Sequence, residues 1–218
     1  MRAQVMLPSG CIRLEPGGYT TRQLLVRNLG PTTDRFLLEA VGAAASWTTL
    51  DPPVLVLEPD ATGYVTVHFH PPRAAHVRAG GTPFGVLTMS TQEAVGSVVE
   101  RLLEVGRFTD TVLELTPRSV RRSSASFQLT VANQGNATVR VSMRGRDPTG
   151  TLRVECTPAK LTVFPGTLAH SGVRVRLGRR RWRGVPLTRP FQILVDHGEG
   201  APLIAVGELV EYAILPCR

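Results

Sequence analysis

The chain contains one sequence pattern written twice, and this repeat limits what it can fold into. Four pairs of segments match in order: Leu14–Gly18 (LEPGG) with Leu115–Ser119 (LTPRS), Leu24–Gly30 (LLVRNLG) with Leu129–Gly135 (LTVANQG), Asp51–Pro59 (DPPVLVLEP) with Cys156–Pro165 (CTPAKLTVFP), and Gly81–Leu87 (GTPFGVL) with Leu187–Leu194 (LTRPFQIL). The spacing drifts only from 101 residues at Pro16 and Pro117 to 107 at Phe84 and Phe191. A repeat at nearly constant spacing indicates two copies of one structural unit. We therefore predict two domains, residues 1–107 and residues 108–218.

Short runs of alternating residues within each copy predict β-strands. In Tyr64–His70 (YVTVHFH) and Ser171–Gly178 (SGVRVRLG), apolar and polar residues alternate, as they do in half-buried antiparallel strands. The 21 glycines and 17 prolines leave only short uninterrupted segments, which long helices do not tolerate. About seven such strands per copy predict an all-β chain of two tandem immunoglobulin-like β-sandwich domains.

Prolines occur at matching positions in the two copies. Asp51–Pro53 and Cys156–Pro158 precede a strand in each copy, and we expect them to set a crossing from one sheet to the other, because proline is rejected from central strand positions. Pro83 and Pro190 are each followed by phenylalanine, and we expect this Pro-Phe pair to open a strand.

The formal net charge of +8 belongs to the second copy. Residues 1–107 contain nine arginines and nine acidic residues, whereas residues 108–218 contain 16 basic and eight acidic residues. The first domain is thus net neutral and the second strongly basic. Lys160 is the only lysine among 25 basic residues, which indicates a coding bias rather than selection for a phosphate site.

The cysteines and the N-terminal segment bear on the compartment. Cys11, Cys156 and Cys217 are odd in number and widely spaced, which predicts neither a disulfide framework nor a CxxC-type metal site. The N-terminal segment lacks the apolar core of a signal peptide, and no window approaches the ~18 apolar residues needed to cross a bilayer. We expect a cytoplasmic protein without a membrane span.

The motif order P…G…F.V.N.G, PP…L.PG…V.V.P and G..PF.V resembles the Ig-like modules of the major-sperm-protein, ASH and CARDB group. That resemblance implies modules that bind or space other proteins and carry no catalysis. More narrowly, His68–Val86 (HFHPPRAAHVRAGGTPFGV) together with Arg179–Gln192 (RRRWRGVPLTRPFQ) resembles a group of bacterial proteins from GC-rich genomes. Some of that group are loosely labelled hydrolytic, and some are encoded beside phage-tail-like contractile injection machinery. This resemblance implies an accessory component of such an assembly.

A cluster of basic residues in the second copy is the candidate binding site. Arg179, Arg180, Arg181, Trp182 and Arg183 lie in the loop that corresponds to Pro71–Gly85 (PPRAAHVRAGGTPFG) of the first copy, so the repeat requires the loop but not its charge. Arginine neutralises phosphates and tryptophan stacks on bases, while both residue types are also enriched at protein interfaces. An inert solvated loop, a protein contact and a nucleic-acid or anionic surface contact all remain open.

Catalytic and metal-binding patterns are weak in this sequence. His68, His70 and His76, with Asp60, are the only candidate metal ligands, and ordinary exposed histidines account for them better than a zinc site, which needs three or four ligands. Asp34, Asp51, Glu58 and Asp60 read as turn and strand-end carboxylates. The sequence contains no G-x-S-x-G, H-E-x-x-H or phosphate-binding loop.

We therefore expect a non-enzymatic structural or interaction protein. Its expected partners are other proteins of a larger assembly, with no cofactor, metal or small-molecule substrate. Two alternatives remain at this stage: a module that binds nucleic acid or an anionic surface through the basic second domain, and a hydrolase.

Overall fold

The structure is a computed structural model that describes residues 3–8, 10–92, 96–121, 124–178 and 181–214, with side chains throughout except at 118–121. Strands make up 64% of the chain and helix only 2%, so the all-β prediction is confirmed. The chain divides into two compact units, Met1–Phe108 and Thr109–Arg218.

Each unit is a succession of short strands. The first unit contains β1 (Ala3–Met6), β2 (Ile12–Leu14), β3 (Thr20–Asn28), β4 (Asp34–Gly42), β5 (Thr48–Asp51), β6 (Val54–Leu57), β7 (Thr62–Phe69), β8 (Gly80–Ser90) and β9 (Gly96–Val105), with a 3-10 turn at Ala45–Trp47. The second unit contains β10 (Thr111–Arg121), β11 (Ser124–Asn133), β12 (Val139–Arg146), β13 (Leu152–Thr157), β14 (Lys160–Val163), β15 (Leu168–Leu177), β16 (Leu187–Asp196) and β17 (Leu203–Glu211).

The two units have the same strand order in their sheets, apart from the additional strand β2 in the first unit. In the first unit one sheet has the order β1-β3-β7-β5 and the other β2-β9-β8-β4-β6; in the second the orders are β10-β11-β15-β13 and β14-β12-β16-β17. The four-stranded sheets that contain β1 and β10 correspond to the A-B-E-D sheet of an immunoglobulin sandwich. The other sheets contain the C-F-G strands, with β6 or β14 added beside C and, in the first unit, β2 added beside β9. We refer to the β1-containing and β10-containing sheets as the first sheet of each unit, and to the other as its second sheet.

The apolar residues of the alternating segments face the core, as the sequence pattern predicts. Val65, Val67 and Phe69 of β7 are buried, as are Val173 and Val175 of β15. They belong to two separate hydrophobic cores, one in each unit. Burying each such side chain contributes about 1.5–3 kcal/mol, so each unit has a sizeable core of its own.

One aromatic pair lies between the sheets of each core. Phe69 contacts Phe84 edge-to-face with ring centroids 5.0 Å apart, and Phe127 contacts Phe191 in a tilted arrangement at 5.1 Å. These are the favourable geometries for aromatic pairs. Phe84 and Phe191 occupy equivalent places in the two copies of the repeat.

A buried asparagine is the last residue of β3 in the first unit and of β11 in the second. The Asn28 amide donates to the carbonyls of Leu57 and Thr32 at 2.9 Å, and the Asn133 amide donates to Val163 at 3.0 Å and Ala137 at 2.8 Å. In each case the side-chain oxygen accepts the N–H of the residue two positions on. The turns that follow β3 and β11 are therefore held by asparagines that are almost fully inaccessible to solvent.

The predicted inter-sheet crossings are confirmed. Chain segments with a cis peptide bond at Asp51-Pro52 and at Thr157-Pro158 connect β5 in the first sheet to β6 in the second, and β13 to β14. Proline suits these positions because neither sheet needs its missing N–H there.

The prediction that Pro-Phe opens a strand is wrong. Pro83 and Pro190 are each the fourth residue of their strand. β8 pairs with β4 only from Phe84 onward, and β16 pairs with β12 only from Gln192 onward. At both prolines the strand therefore has a hydrogen-bonded neighbour on one side only, which makes proline tolerable there.

The two units differ in their first strand. The first unit begins with two short strands: β1, which pairs with β3, and β2, which runs parallel to β9 and covers its edge. The second unit has the single strand β10, which pairs with β11 and carries a bulge between Pro117 and Ser119. Within the part of the chain that the structure describes, the outer edge of β17 therefore has no paired strand.

Candidate interaction surfaces

The basic loop joins β15 to β16, and the structure describes only part of it. Arg179 and Arg180 lie outside the described residues. Trp182 projects into solvent with 74% of its surface exposed, and Arg183 is also exposed. These two side chains are the described part of the predicted binding surface, which stays a prediction.

Arg181 points back onto its own unit. Its backbone N–H donates to Glu211 Oε1 at 3.2 Å, its Nε lies 3.5 Å from Glu211 Oε2, and its Nη2 donates to the carbonyl of Val185 at 2.6 Å. The Arg181 carbonyl accepts the N–H of Ile214 at 3.1 Å. Arg181 therefore anchors the loop rather than presenting its charge to a partner.

Glu211, the last residue of β17, is the acceptor that holds this anchor, and its side chain is fully buried. Arg189 of β16 donates to Glu211 Oε2 from Nε at 3.0 Å and from Nη2 at 2.9 Å. Burial alone would raise the pKa of Glu211, but the Arg189 and Arg181 hydrogen bonds and the two positive charges together lower it. The group is a buried carboxylate held ionised by two arginines.

The sequence contains a signal for the burial of Glu211, although no motif marks this residue. Ala205, Leu209 and Glu211 of β17 are buried in period two, so the strand phase places position 211 inward. In the first unit the corresponding inward position holds Val105, a buried apolar residue. An acidic residue in an inward phase is a sign that a buried partner exists.

The histidines do not form a metal cluster. His68 hydrogen-bonds through Nδ1 to the hydroxyl of Tyr19, and His70 Nδ1 lies 2.9 Å from the carbonyl of Gly18. His76 is exposed in the loop before β8, while Asp60 pairs with Arg27 at 3.3 Å. Among the described residues, no three His, Cys, Asp or Glu side chains are placed to hold one metal ion.

The predicted turn carboxylates are confirmed in part. Asp51, Glu58 and Asp60 are exposed, but Asp34 is buried at the start of β4. Asp34 accepts hydrogen bonds from the Ser90 hydroxyl at 2.5 Å and from the Arg35 N–H at 2.7 Å. It ties β4 to the end of β8, which is a structural use of this carboxylate.

Two of the three cysteines are described, and both are free thiols. Cys11 is exposed; Cys156 is half-buried at the end of β13, where burial raises its pKa. Cys217 lies outside the described residues.

The outward face of the second sheet in the first unit is unusually apolar. We call it the apolar face, and its outward apolar side chains are Leu37, Val41, Val54, Val56, Leu87, Met89, Val98 and Leu102. Val56, Val98 and Leu102 are 66%, 50% and 63% exposed. An antiparallel sheet normally presents polar side chains on the face that does not pack on the core.

A groove crosses the apolar face at Gly85. Side chains of Val41 and Val98 flank this glycine, so that an added Cβ would lie 3.0 and 3.2 Å from them. The groove encloses about 440 Å³ and is also lined by Pro83, Leu102 and Glu100. The apolar face therefore has a groove lined mainly by apolar side chains, with the carboxylate of Glu100 at its rim.

The corresponding face of the second unit has the opposite charge. We call it the basic face, and its outward charged and apolar side chains are Arg140, Arg144, Arg146, Lys160, Leu194, Asp196, Ile204, Val206, Glu208 and Val210. A shallow pocket of about 470 Å³ lies between Arg140, Lys160 and Asp196. Ile204 and Val206 are exposed on β17, next to the unpaired edge.

Comparison with known proteins does not assign the chain to a family. Neither a protein-family model nor a curated protein sequence matches it. Among solved structures, the D00-D0 domain of intimin aligns with 96% of this chain and 99% of its own, at 12% identity and a TM-score of 0.40. The YadV chaperone aligns over 96% and 100%, at 12% identity and a TM-score of 0.33.

A third solved structure is a protein of unknown function from Porphyromonas gingivalis W83, which aligns over 96% of this chain and 100% of its own. Its identity is 14% and its TM-score 0.36. Sequence identities and TM-scores this low do not bear on function. In the described part of the chain, no helix has the length and hydrophobicity that a membrane crossing requires.

Proposed function

We propose that this chain is a non-enzymatic interaction protein that binds other proteins through the outward faces of its sandwiches. The observation that supports the proposal best is the apolar face. Val56, Val98 and Leu102 are each at least half exposed there, although the sandwich core is complete without them. Contiguous apolar surface of this kind is typical of protein interaction sites.

The buried carboxylates support the non-enzymatic part of the proposal. Asp34 is used by Ser90 and by the backbone of Arg35, and Glu211 is used by Arg189 and Arg181. Both groups therefore serve the fold, and neither is poised as an acid or base for a substrate.

We further propose that the partners belong to a larger cytoplasmic assembly of the phage-tail-like contractile injection kind. This finer part of the proposal is supported by the sequence resemblance of His68–Val86 and Arg179–Gln192 alone. The two faces of opposite charge suit a component that contacts more than one neighbour.

The test compares two double variants of the tagged full-length chain, purified from its native cell. In the first, Val98→Arg and Leu102→Arg place charges on the apolar face; in the control, Thr21→Arg and Thr49→Arg place the same charges on the exposed side of the first sheet. Quantitative mass spectrometry should find proteins that the wild type and the control retain and the apolar-face variant loses. Recovery of one identical set by all three chains would contradict the proposal.

Binding to nucleic acid is a second candidate, favoured by one specific observation. Arg153 and Arg176 face each other directly across β13 and β15, and Trp182 is exposed in the loop after β15. Like charges opposed across a sheet are unfavourable, and a bound phosphate would relieve them. If this function holds, single-stranded DNA or RNA is retained with an affinity that falls steeply as salt rises; no retention at low salt rejects it.

A further inference from the structure

We propose that the outer edge of β17 binds an extended segment of another protein, which joins the second sheet of the second unit as a strand parallel to β17. We call this edge the open edge and define it by Ile204, Val206, Glu208 and Val210. It is a different surface from the outward faces of the proposed function, so either can bind without the other. The first unit shows which kind of segment fits, because it carries one at the equivalent place.

The backbone of the open edge has hydrogen-bonding groups that β16 does not use. Pro190 lies directly opposite Glu208 in the pairing of β16 with β17. A hydrogen-bonded antiparallel pair exchanges two N–H···O bonds, and proline has no N–H, so the N–H and C=O of Glu208 point away from β16. The same direction recurs at every second residue, and therefore at Ile204, Val206 and Val210. No strand in the described part of the chain pairs with these groups.

Among the edge strands that the described residues form, β17 differs in length and regularity. Six of the eight have only three to six residues: β1, β2, β5, β6, β13 and β14. β10 is long but carries a bulge. β17 has nine residues, pairs with β16 in one unbroken register and contains neither proline nor lysine. Short length, bulges, proline and lysine prevent pairing at exposed edges, and β17 has none of these features.

The equivalent edge of the first unit is occupied by a strand of its own chain. β9 is equivalent to β17, because each is the outer neighbour of the strand that carries the Pro-Phe pair. β2 runs parallel to β9 along this edge, and the carbonyl of Leu14 accepts the N–H of Gly106 at 2.7 Å. Ile12 and Leu14 are 3% and 1% exposed, whereas Arg13 between them is exposed. A parallel strand with aliphatic residues at alternate positions therefore completes the core at this place.

In the second unit the corresponding segment belongs to the other sheet. Leu113 and Leu115 match Ile12 and Leu14 in the repeat, but they lie on β10 and pair with β11. Both are only partly buried against the core. Leu115 borders β17, since a Cβ added to Gly207 would lie 2.9 Å from its side chain. A strand from another protein can thus take the place on β17 that β2 takes on β9, and its inward side chains would cover these leucines.

The side chains beside the open edge set the composition of the segment. Ile204 and Val206 are 53% and 61% exposed on the outward side, and Glu208 is also exposed there. Aliphatic residues suit the positions next to the first two, and lysine or arginine suits the position next to Glu208. The first unit has such a charge pair, because Arg13 of β2 lies opposite Glu104 of β9. The partner is therefore an extended segment with alternating aliphatic residues and one basic residue.

The first measurement is amide hydrogen exchange of the full-length protein, resolved by residue with NMR at two concentrations. The amides of Ala205, Gly207 and Leu209 face β16 and should be protected, whereas those of Val206 and Glu208 should exchange fast. Protection of both sets at the lower concentration would mean that the edge is already covered, and this result would overturn the proposal.

The second measurement selects partner segments from a phage-displayed library of random peptides of about 12 residues, which is long enough to span the strand. Selected peptides should have the composition given above and should slow exchange of the Val206 and Glu208 amides at least about tenfold. A nitroxide label at the peptide N-terminus should broaden the resonances of Leu203 rather than those of Glu211, as a parallel strand requires.

A matched pair of variants tests the backbone contact. Val206→Pro removes one N–H of the open edge and keeps the bonds to β16, because proline is tolerated where the N–H points out of a sheet. Val206→Thr keeps that N–H in a side chain of nearly the same shape. The selected peptides should bind Val206→Pro at least about tenfold more weakly and Val206→Thr as the wild type. Ile204→Lys with Val206→Lys changes no backbone group and should also weaken binding about tenfold.

Four results would overturn the proposal. They are a library without binders, equal binding by Val206→Pro or by the double lysine variant, slowed exchange on the apolar face instead of β17, and a mass that doubles with concentration as the open edge becomes protected. The last result would assign the edge to a second copy of this chain. None of them decides the proposed function, because its test changes Val98 and Leu102 and leaves β17 intact.

Discussion

Replacing Glu211 with glutamine tests a buried charge cluster of the second unit, formed by Glu211, Arg189 and Arg181. The carboxylate is fully inaccessible to solvent and accepts two hydrogen bonds from Arg189 and one from the backbone of Arg181. Glutamine has the same shape, so the substitution removes the charge without opening a cavity. It also turns one acceptor into an N–H donor that faces the donors of the two arginines.

The expected cost follows from these contacts. Breaking a buried ion pair by removing one partner costs about 3–5 kcal/mol, because the other charge stays buried without compensation. The glutamine oxygen still accepts one hydrogen bond from Arg189, and Arg181 is a third exposed. We therefore expect the lower end, a loss of about 3 kcal/mol in the free energy of unfolding of the second unit.

The pH dependence has a definite sign. The folded-state pKa of Glu211 lies below its ordinary value of 4.5, so the stabilisation by the ionised carboxylate is complete above that ordinary value. It is lost as the pH falls through the lower folded-state pKa. The difference between wild type and Glu211→Gln should be constant near neutral pH and should narrow only in acid below the ordinary pKa.

Hydrogen exchange measured by mass spectrometry gives the assay, because it reports each unit separately. Peptides from the second unit should lose protection in Glu211→Gln, while peptides from Met1–Phe108 serve as an internal control. Trypsin should also cut faster after Arg181 and Arg183, since the anchor of the loop is gone. A free energy within about 0.5 kcal/mol of the wild type, or an equal loss in both units, would refute the reasoning.

Two further outcomes are expected from the repeat and from close packing. Asn28→Ala and Asn133→Ala should each destabilise their own unit by about 2–3 kcal/mol, because several backbone groups lose their partner, whereas Gln134→Ala, at an exposed neighbour, should be neutral in urea unfolding. Gly145→Ala should cost at least about 2 kcal/mol, because its Cβ would lie 2.5 Å from the backbone oxygen of Val154. The control Gly172→Ala meets nothing closer than 3.5 Å and should leave the melting temperature of the full chain nearly unchanged.

Much of the fold could be predicted because the repeat and the strand phase are local patterns. Period-two alternation in Tyr64–His70 fixes which side chains face the core, and the matching segments assign the same strands to the second copy. In Ser97–Val105 (SVVERLLEV) the alternation does not show which residues face the core, because apolar residues occupy both faces of the strand. Sequence alone therefore gives no reason to expect that Val98 and Leu102 lie outside while Val99 and Leu103 lie inside.

The candidate site was less predictable, since it depends on partners from distant strands. Glu211 is buried because Arg189, 22 residues earlier, lies beside it in the sheet. Asn28 reads as a turn residue, and its burial follows only from the approach of Leu57 across the sandwich. The sequence places Arg181 in a predicted binding surface, whereas in the structure its side chain contacts Glu211 and Val185 of its own unit.

Comparison of the two copies shows where they have diverged. Inward positions keep their character, as at Phe84 and Phe191, because each core must still be filled. Sheet pairing places Glu39 and Val41 of β4 at the positions that Arg144 and Arg146 occupy on β12, so the outward faces differ in charge while the backbone order is the same. A change that the core does not require must be explained by what touches the surface. Outward faces that differ at equivalent positions of one repeated backbone suit a component that contacts more than one neighbour.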